Sequence, residues 1–151
     1  MKFVPRDYQR PAIHALTTNK HHALFADVGA GKTPMVIEGM KQVGGRWLIV
    51  APLRVCHLVW PAEMKKWSDY VPTVVHASTK RKREQKMESP TDHLVINPEG
   101  LKWLFENYKI EDYVDNLCID ESHMFKTPKS IRFKEIKKVI KKFDRDWETT
   151  T

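Results

Sequence analysis

A stretch near the amino terminus combines glycines with a lysine and a threonine: residues 26–33 read Ala-Asp-Val-Gly-Ala-Gly-Lys-Thr. In such a stretch, successive backbone N–H groups at a helix start wrap around phosphate oxygens, while the lysine adds a positive charge. The pattern predicts a P-loop, in which Lys32 reaches the β- and γ-phosphates of a nucleoside triphosphate and the Thr33 hydroxyl ligates Mg²⁺. Ala26 replaces the first glycine of the strict pattern. The predicted phosphate cradle comprises Val28, Gly29, Ala30, Gly31, Lys32 and Thr33.

Two adjacent carboxylates, Asp120 and Glu121, follow an apolar stretch later in the chain. A P-loop needs such a partner, because a carboxylate holds Mg²⁺ and an attacking water must be polarised. We therefore predict that Asp120 holds the Mg²⁺ and that Glu121 acts on the water. An Asp-Glu pair at a strand end is weak evidence alone, and the P-loop in the same chain makes it strong.

Short apolar runs alternate with helical stretches along the chain, which is typical of βαβ units and a parallel sheet. We predict an α/β fold with a parallel sheet of about five strands flanked by helices. The near-continuous apolar character of most of these runs indicates strands that are buried on both faces. The predicted strands are residues 23–26, 47–51, 73–76, 93–97 and 116–120.

The same pattern predicts the helices and the limits of the domain. Gly44 and Gly45 are predicted to end the helix that follows the P-loop, and the charged stretch 80–88 fits either a surface helix or a mobile loop. The last eight residues are polar, so we predict one domain over residues 1–143 and a frayed tail over 144–151. The predicted helices are residues 8–18, 32–43, 56–67, 101–108 and 131–143.

Composition and charge fit a single domain of a soluble protein. The chain has 151 residues, with 26 Lys and Arg against 19 Asp and Glu, and its net charge of +7 suits a polyanionic partner such as nucleic acid. Cys56 and Cys118 lack the spacing of a zinc site. No apolar run has the length of a signal peptide or of a membrane span, so we expect an intracellular protein, in the cytoplasm or associated with the nucleoid, without a membrane partner.

Taken in order, these motifs resemble those of superfamily 2 helicases, in particular the Swi/Snf-type ATP-dependent DNA translocases. The first motif of that group often has alanine where Ala26 stands, and residues 120–123, Asp-Glu-Ser-His, resemble its Asp-Glu-Ala-His box. The resemblance covers almost the whole chain. It implies the P-loop NTPase (RecA-like) fold of the amino-terminal lobe, with ATP and Mg²⁺ as cofactors, and it implies that His123 couples the nucleotide site to the rest of the enzyme.

Three further blocks carry the resemblance. Residues 6–9, Arg-Asp-Tyr-Gln, resemble the Q-motif, which implies that Arg6 and Gln9 bind the adenine and that ATP is preferred to GTP. Residues 50–54 resemble motif Ia, and residues 95–101 resemble the block before the acidic box, although Asn97 departs from its usual residue. These two blocks imply contacts with nucleic acid, expected to be DNA, at Pro52, Leu53, Arg54, Glu99 and Gly100.

Several of these residues also fit ordinary structural roles. Gln9 fits an exposed helix residue, and Trp60 and Trp67 fit core aromatics better than platforms for base stacking. The basic cluster at 80–83 fits a solvated face better than a phosphate clamp. The histidines outside the acidic box show no ligand spacing, and we assign them no role: His14, His21, His22, His57, His76 and His93.

The resemblance also implies parts that the sequence does not display. A complete enzyme continues after the acidic box with a strand ending in a Ser/Thr-Gly-Thr-Pro-like motif and then with a second RecA-like lobe, whose arginine finger is worth about 10³ to 10⁵ in rate. Residues 144–151 do not match that strand, so we expect a sheet truncated before it and little activity without a second lobe. The alternatives are a nucleic-acid- or protein-binding module that has lost hydrolysis, and a P-loop kinase, which Gln9 and the acidic box disfavour.

Overall fold

The computed structural model of the chain describes residues 2–25, 31–120 and 131–150. Five residues with predicted roles, Val28, Gly29, Ala30, Glu121 and His123, therefore lie outside the described residues. No helix in the described part of the chain is long and apolar enough to cross a membrane.

The described residues form an α/β fold built on one parallel sheet, as predicted. Every strand pair is parallel, and the strand order is β1-β6-β5-β2-β4-β3. All residues of β2, β4 and β5 are buried, which is the pattern of strands covered on both faces. The strands are β1 (His21–Phe25), β2 (Trp47–Val50), β3 (Thr73–Val74), β4 (Leu94–Ile96), β5 (Asn116–Asp120) and β6 (Arg145–Thr150).

The strand β6 lies inside the sheet, with a strand on each side, so the predicted frayed tail and the predicted truncation before the strand that follows the acidic box are both wrong. β6 lies between β1 and β5 and pairs with both. Trp147 is fully buried and packs on Trp47 with ring centroids 4.3 Å apart. This strand was missed because strands were predicted from continuous apolar runs, whereas Asp146 and Glu148 alternate here with buried residues. The domain therefore extends through Thr150.

The helices fall close to their predicted positions. The predicted helix over 56–67 is two helices, because Pro61 at the start of the second one has no N–H to continue the first. The stretch 80–88 is a helix capped by the Thr79 side chain, and Gly44 ends the helix after the P-loop with φ of 79°. The helices are α1 (Arg10–Thr18), α2 (Lys32–Val43), α3 (Leu53–Leu58), α4 (Trp60–Trp67), α5 (Lys80–Glu88), α6 (Leu101–Asn107) and α7 (Ile131–Val139).

Helices on both faces of the sheet create two apolar layers. The first layer packs α1, α2 and α4 on one face through Leu16, Val36, Met64 and their neighbours. The second packs α6 and α7 on the other face, with Leu104 and Ile136 among its buried side chains. Because all strands are parallel, the segments that follow β2, β4 and β5 emerge at the same edge of the sheet. Ligands of α/β sheets bind at that carboxyl edge.

Candidate nucleotide and nucleic-acid site

Asp120 ends β5 at the carboxyl edge, where its carboxylate is 3% exposed and has three partners. Trp60 Nε1 donates to Oδ2 at 3.0 Å, and Thr149 Oγ1 donates to Oδ1 at 2.7 Å. Lys32 Nζ lies 3.4 Å from Oδ1. A carboxylate buried to this extent requires such partners, because an unpaired charge in the core is strongly destabilising. The structure thus brings the P-loop lysine and the acidic-box aspartate into contact.

Gly31, the residue that precedes α2, has a left-handed backbone and a close neighbour. Gly31 precedes the helix with φ of 73°, in the left-handed region, and a Cβ atom there would lie 2.6 Å from Gln9 Nε2. The first N–H groups of α2 and the Lys32 ammonium group both favour anions, as a helix start and a cation do.

The residues predicted to bind Mg²⁺ have suitable chemistry. Mg²⁺ prefers oxygen ligands, and Asp120 supplies a carboxylate while Thr33, the second residue of α2, supplies a hydroxyl. The Lys32 ammonium group beside Oδ1 shows that this position already accepts a positive charge. Asp120 and Thr33 would hold the metal, which would neutralise charge on the phosphates when bound.

A cleft of about 380 Å³ lies beside Gly31, which is within the range of small-ligand sites. Gln9 is 4% exposed and precedes α1, and its Oε1 accepts a hydrogen bond from Arg6 N at 2.9 Å. The alternative that Gln9 is an exposed helix residue is therefore wrong. The cleft offers aromatic faces and polar groups together, as a purine base would require. Its lining includes Phe3, Arg6, Tyr8, Gln9, Gly31 and Trp67.

The two tryptophans of α4 differ in environment. Trp60 is 1% exposed, which confirms its prediction as a core aromatic, but its indole N–H also binds Asp120. Trp67 is half-buried, donates to Glu63 Oε2 at 2.9 Å and lines the cleft.

Sequence reasoning did not find Trp60 or Thr149 as parts of the site. For Thr149, the alternation of charged residues with Trp147 and Thr149, both of which favour strands, was an available sign of a strand. For Trp60, no sequence pattern indicates a bond to a carboxylate 60 positions away.

The residues predicted to contact nucleic acid lie where two neighbouring strands end. Pro52 is half-buried, whereas Leu53 and Arg54 are exposed at the start of α3, directly after β2. Glu99 is exposed after β4, and its Oε2 accepts a hydrogen bond from Asn97 Nδ2 at 2.9 Å.

Gly100 differs from the other four residues. It is buried, and a Cβ atom there would lie 2.9 Å from Ile96 Cδ1. Gly100 thus has a packing role, and its contact with nucleic acid stays a prediction.

Both cysteines are free and buried. Burial raises the pKa of Cys56 to about 12, and it raises the pKa of Cys118 well above the ordinary value, with a smaller contribution from Asp120. Protonated thiols are poor nucleophiles and poor metal ligands. Among the described ranges, no group of three or more His, Cys, Asp or Glu side chains is placed to hold a metal ion.

Comparison with known proteins places this site in a family. The chain is 29% identical to putative protein p41 of Acyrthosiphon pisum secondary endosymbiont phage 1, over an alignment of 113 residues that covers 69% of this chain and 25% of the relative. It superposes on the crystal structure of the Hef helicase domain of Pyrococcus furiosus with a TM-score of 0.74 and 16% identity, over 97% of this chain and 32% of that one. At that identity, the superposition shows the shared fold alone.

The chain thus spans about a quarter of the length of the phage relative and about a third of the Hef domain. The family model for the DEAD/DEAH box helicase matches residues 6–150, from the Q-motif block to the end of β6. This match covers nearly every residue of the chain, and it includes the contact between Lys32 and Asp120. The chain belongs to the DEAD/DEAH box helicase family.

Proposed function

We propose that the chain acts as the ATP-binding first lobe of a superfamily 2 enzyme of the Swi/Snf-like type, in which nucleotide binding is coupled to binding of DNA. The observation that supports this most directly is the contact between Lys32 and Asp120 beside the cleft that Gln9 lines. The Swi/Snf-like assignment draws on the Asp-Glu-Ser-His box and on Ala26.

The proposed roles follow from position and chemistry. Lys32 binds the β- and γ-phosphates, while Thr33 and Asp120 bind Mg²⁺. Arg6 and Gln9 bind the adenine in the cleft, which favours ATP over GTP. Val28, Gly29, Ala30, Glu121 and His123, outside the described residues, complete the proposal as cradle, water-activating group and coupling group.

The proposed nucleic-acid surface consists of Pro52, Leu53, Arg54 and Glu99 at the carboxyl edge. Arg54 is the cation of this set, so it would contact a phosphate, and the net charge of +7 assists the approach of a polyanion. We expect hydrolysis by this chain alone to be slow until a second RecA-like lobe supplies the arginine that stabilises charge on the transferred phosphate.

Titration with a fluorescent ATP analogue and Mg²⁺ tests the nucleotide site. We expect Lys32→Ala to weaken binding by at least about tenfold, because one charge-assisted contact to phosphate is worth roughly 1.5–3 kcal/mol. Lys109→Ala is the matched control, since Lys109 is an exposed lysine in the segment after α6 and its removal changes the charge equally. Equal affinity of Lys32→Ala and the unmodified chain would disprove the assignment.

The basic charge balance also favours a second function, a DNA- or protein-binding module without hydrolysis. Titration with labelled single-stranded DNA, with and without Mg²⁺·ATP, separates the two. The first proposal expects the DNA affinity to change with nucleotide and to lose that change in Lys32→Ala. A DNA affinity that is changed neither by nucleotide nor by Lys32→Ala would favour the binding module.

A further inference from the structure

The carboxylate of Asp120 is oriented by partners from three different elements. Oδ1 faces Thr149 of β6 and Lys32 of α2, whereas Oδ2 accepts the indole N–H of Trp60 from α4. Both Trp60 and Asp120 are almost fully buried. Because the indole is rigid and large, its N–H fixes the rotation of the carboxylate about its last side-chain bond. The direction of the lone pairs of the Asp120 carboxylate therefore depends on the position of Trp60, the first residue of α4.

The start of α4 is tied to the exposed surface at Leu53 and Arg54. Val59 N donates to Val55 O at 3.1 Å and Glu63 N donates to Val59 O at 2.9 Å, so Val59 joins α3 to α4 by backbone hydrogen bonds on both sides, although Pro61 interrupts the series. Any displacement of the first turn of α3 is thus passed to Trp60 through one short helical segment. This segment is attached to the end of β2, where Cys56 Sγ donates to Ala51 O at 3.2 Å.

We propose that Trp60 is a positioning residue that couples the Leu53 and Arg54 surface to the Asp120 carboxylate. The inference rests on the proposed function, in which that surface binds nucleic acid and Asp120 binds Mg²⁺. A nucleic acid bound at Arg54 would fix α3 and α4, and the Trp60 N–H would then hold Oδ2, which sets the orientation in which the Asp120 carboxylate would meet Mg²⁺. By thermodynamic linkage, Mg²⁺·ATP changes the affinity for nucleic acid by the same factor by which nucleic acid changes the affinity for Mg²⁺·ATP.

The variant Trp60→Phe keeps an aromatic ring in the core and removes the donor. We expect the affinity for nucleotide in the presence of Mg²⁺ to fall by about tenfold, as occurs when a metal-ligating group loses its orienting hydrogen bond. We also expect the ratio of DNA dissociation constants with and without Mg²⁺·ATP to fall to one, while the affinity for DNA without nucleotide stays unchanged. The ratio is the decisive readout, because a residue that only stabilises the fold would leave it as in the unmodified chain.

Trp47→Phe is the matched control for this substitution. Trp47 is fully buried, and its indole N–H donates to Gly44 O at 3.2 Å, away from Asp120. Its loss therefore removes the same kind of bond from the same core. We expect Trp47→Phe to lower the free energy of unfolding and to keep the wild-type ratio and Mg²⁺ dependence.

Nuclear magnetic resonance of the indole N–H groups provides a readout that needs no activity. The Trp60 signal, assigned by its absence in Trp60→Phe, should move when Mg²⁺ and a non-hydrolysable ATP analogue are added, and also when single-stranded DNA alone is added. The Trp47 signal should stay in place in both titrations. If Trp60→Phe does not fold, the signal is assigned by elimination from the other four Trp→Phe variants.

The possible outcomes separate this inference from the proposed function. If the unmodified chain does not bind Mg²⁺·ATP, the proposed function and this inference both fail. If it binds both ligands and Trp60→Phe keeps the wild-type ratio, or if DNA leaves the Trp60 signal unmoved, the coupling role of Trp60 alone is wrong.

Discussion

Gly31 combines two constraints at one position, a left-handed backbone and close contact with the Gln9 amide. The left-handed conformation costs a residue with a side chain about 1–2 kcal/mol. In addition, a methyl group at Gly31 must displace Gln9 Nε2, which lines the cleft. The nucleotide site therefore depends on the absence of a side chain here.

We predict that Gly31→Ala weakens binding of the ATP analogue by about tenfold or more, and that it lowers the free energy of unfolding by about 1–2 kcal/mol. Gly44→Ala is the control, because Gly44 also has a positive φ, of 79°, but its missing side chain would meet nothing within 4 Å. Gly44 also has ψ of −167°, a backbone conformation that is essentially restricted to glycine, so we expect Gly44→Ala to destabilise the fold as well and to keep nucleotide affinity. Fluorescence titration and urea unfolding measure the two effects, and equal loss of affinity in both variants would contradict the prediction.

The residues of the site were predictable where a local pattern carries the chemistry. Lys32 and Thr33 stand in a short block whose spacing indicates a phosphate cradle, and Gln9 stands in a block whose resemblance to the Q-motif implies an adenine contact. Trp60 and Thr149 were not predictable, because their role depends on a contact with Asp120 that only the folded sheet creates. A short motif indicates the geometry of neighbouring residues, whereas a buried carboxylate forms hydrogen bonds with any element that packs on it.

At the scale of elements, β6 makes the sheet continuous by pairing with both β1 and β5. It separates β1, which leads into the P-loop, from β5, which ends at Asp120, so its register sets the distance between the two halves of the site. Trp147 anchors the strand by packing on Trp47 and against the α2 face, where a Cβ atom on Gly39 would lie 3.1 Å from the Trp147 ring.

We predict that Trp147→Ala lowers the free energy of unfolding by about 3–5 kcal/mol, because it leaves a large cavity between β6 and α2. For a domain of this size, that loss lowers the melting temperature by roughly 10 °C. Trp67→Ala is the control, since Trp67 is only half-buried, and we expect it to cost less than half as much. Thermal unfolding followed by circular dichroism tests this. An unchanged melting temperature in Trp147→Ala would mean that the segment is a tail after all.

A strand whose residues are all buried is easier to predict from the sequence than a strand in which buried and charged residues alternate. The strand β5 lies at its predicted residues, because all five of its residues are buried and apolar character dominates the run. The strand β6 was missed, because alternate residues on it are charged while Trp147 and Thr149 are buried. An alternating pattern of this kind also fits a polar tail when the neighbouring strands are unknown.

At the scale of the whole molecule, buried titratable groups limit stability on both sides of neutral pH. Burial lowers the pKa of His93 from 6.5 to about 4, and its Nδ1 accepts the hydrogen bond of Trp47 N at 3.0 Å. Burial also lowers the pKa of His57, but that ring is exposed and contributes little. On the alkaline side, burial raises the pKa of Cys56 from 9.0 to about 12. Stability should therefore be greatest at roughly pH 7 to 9.

The acid side gives a test with a defined sign. Because the folded pKa of His93 is below its unfolded value, the unfolded chain binds the extra proton between pH 6.5 and 4, and stability falls as the pH falls through this window. The shift corresponds to about 3 kcal/mol. We predict that His93→Asn, which keeps an acceptor for Trp47 N, flattens this part of the profile, whereas His14→Asn, at an exposed site on α1, leaves it unchanged. Urea unfolding at pH 7, 5.5 and 4.5 measures the slope. A slope in His93→Asn equal to that of the unmodified chain would show that acid destabilisation arises elsewhere in the molecule.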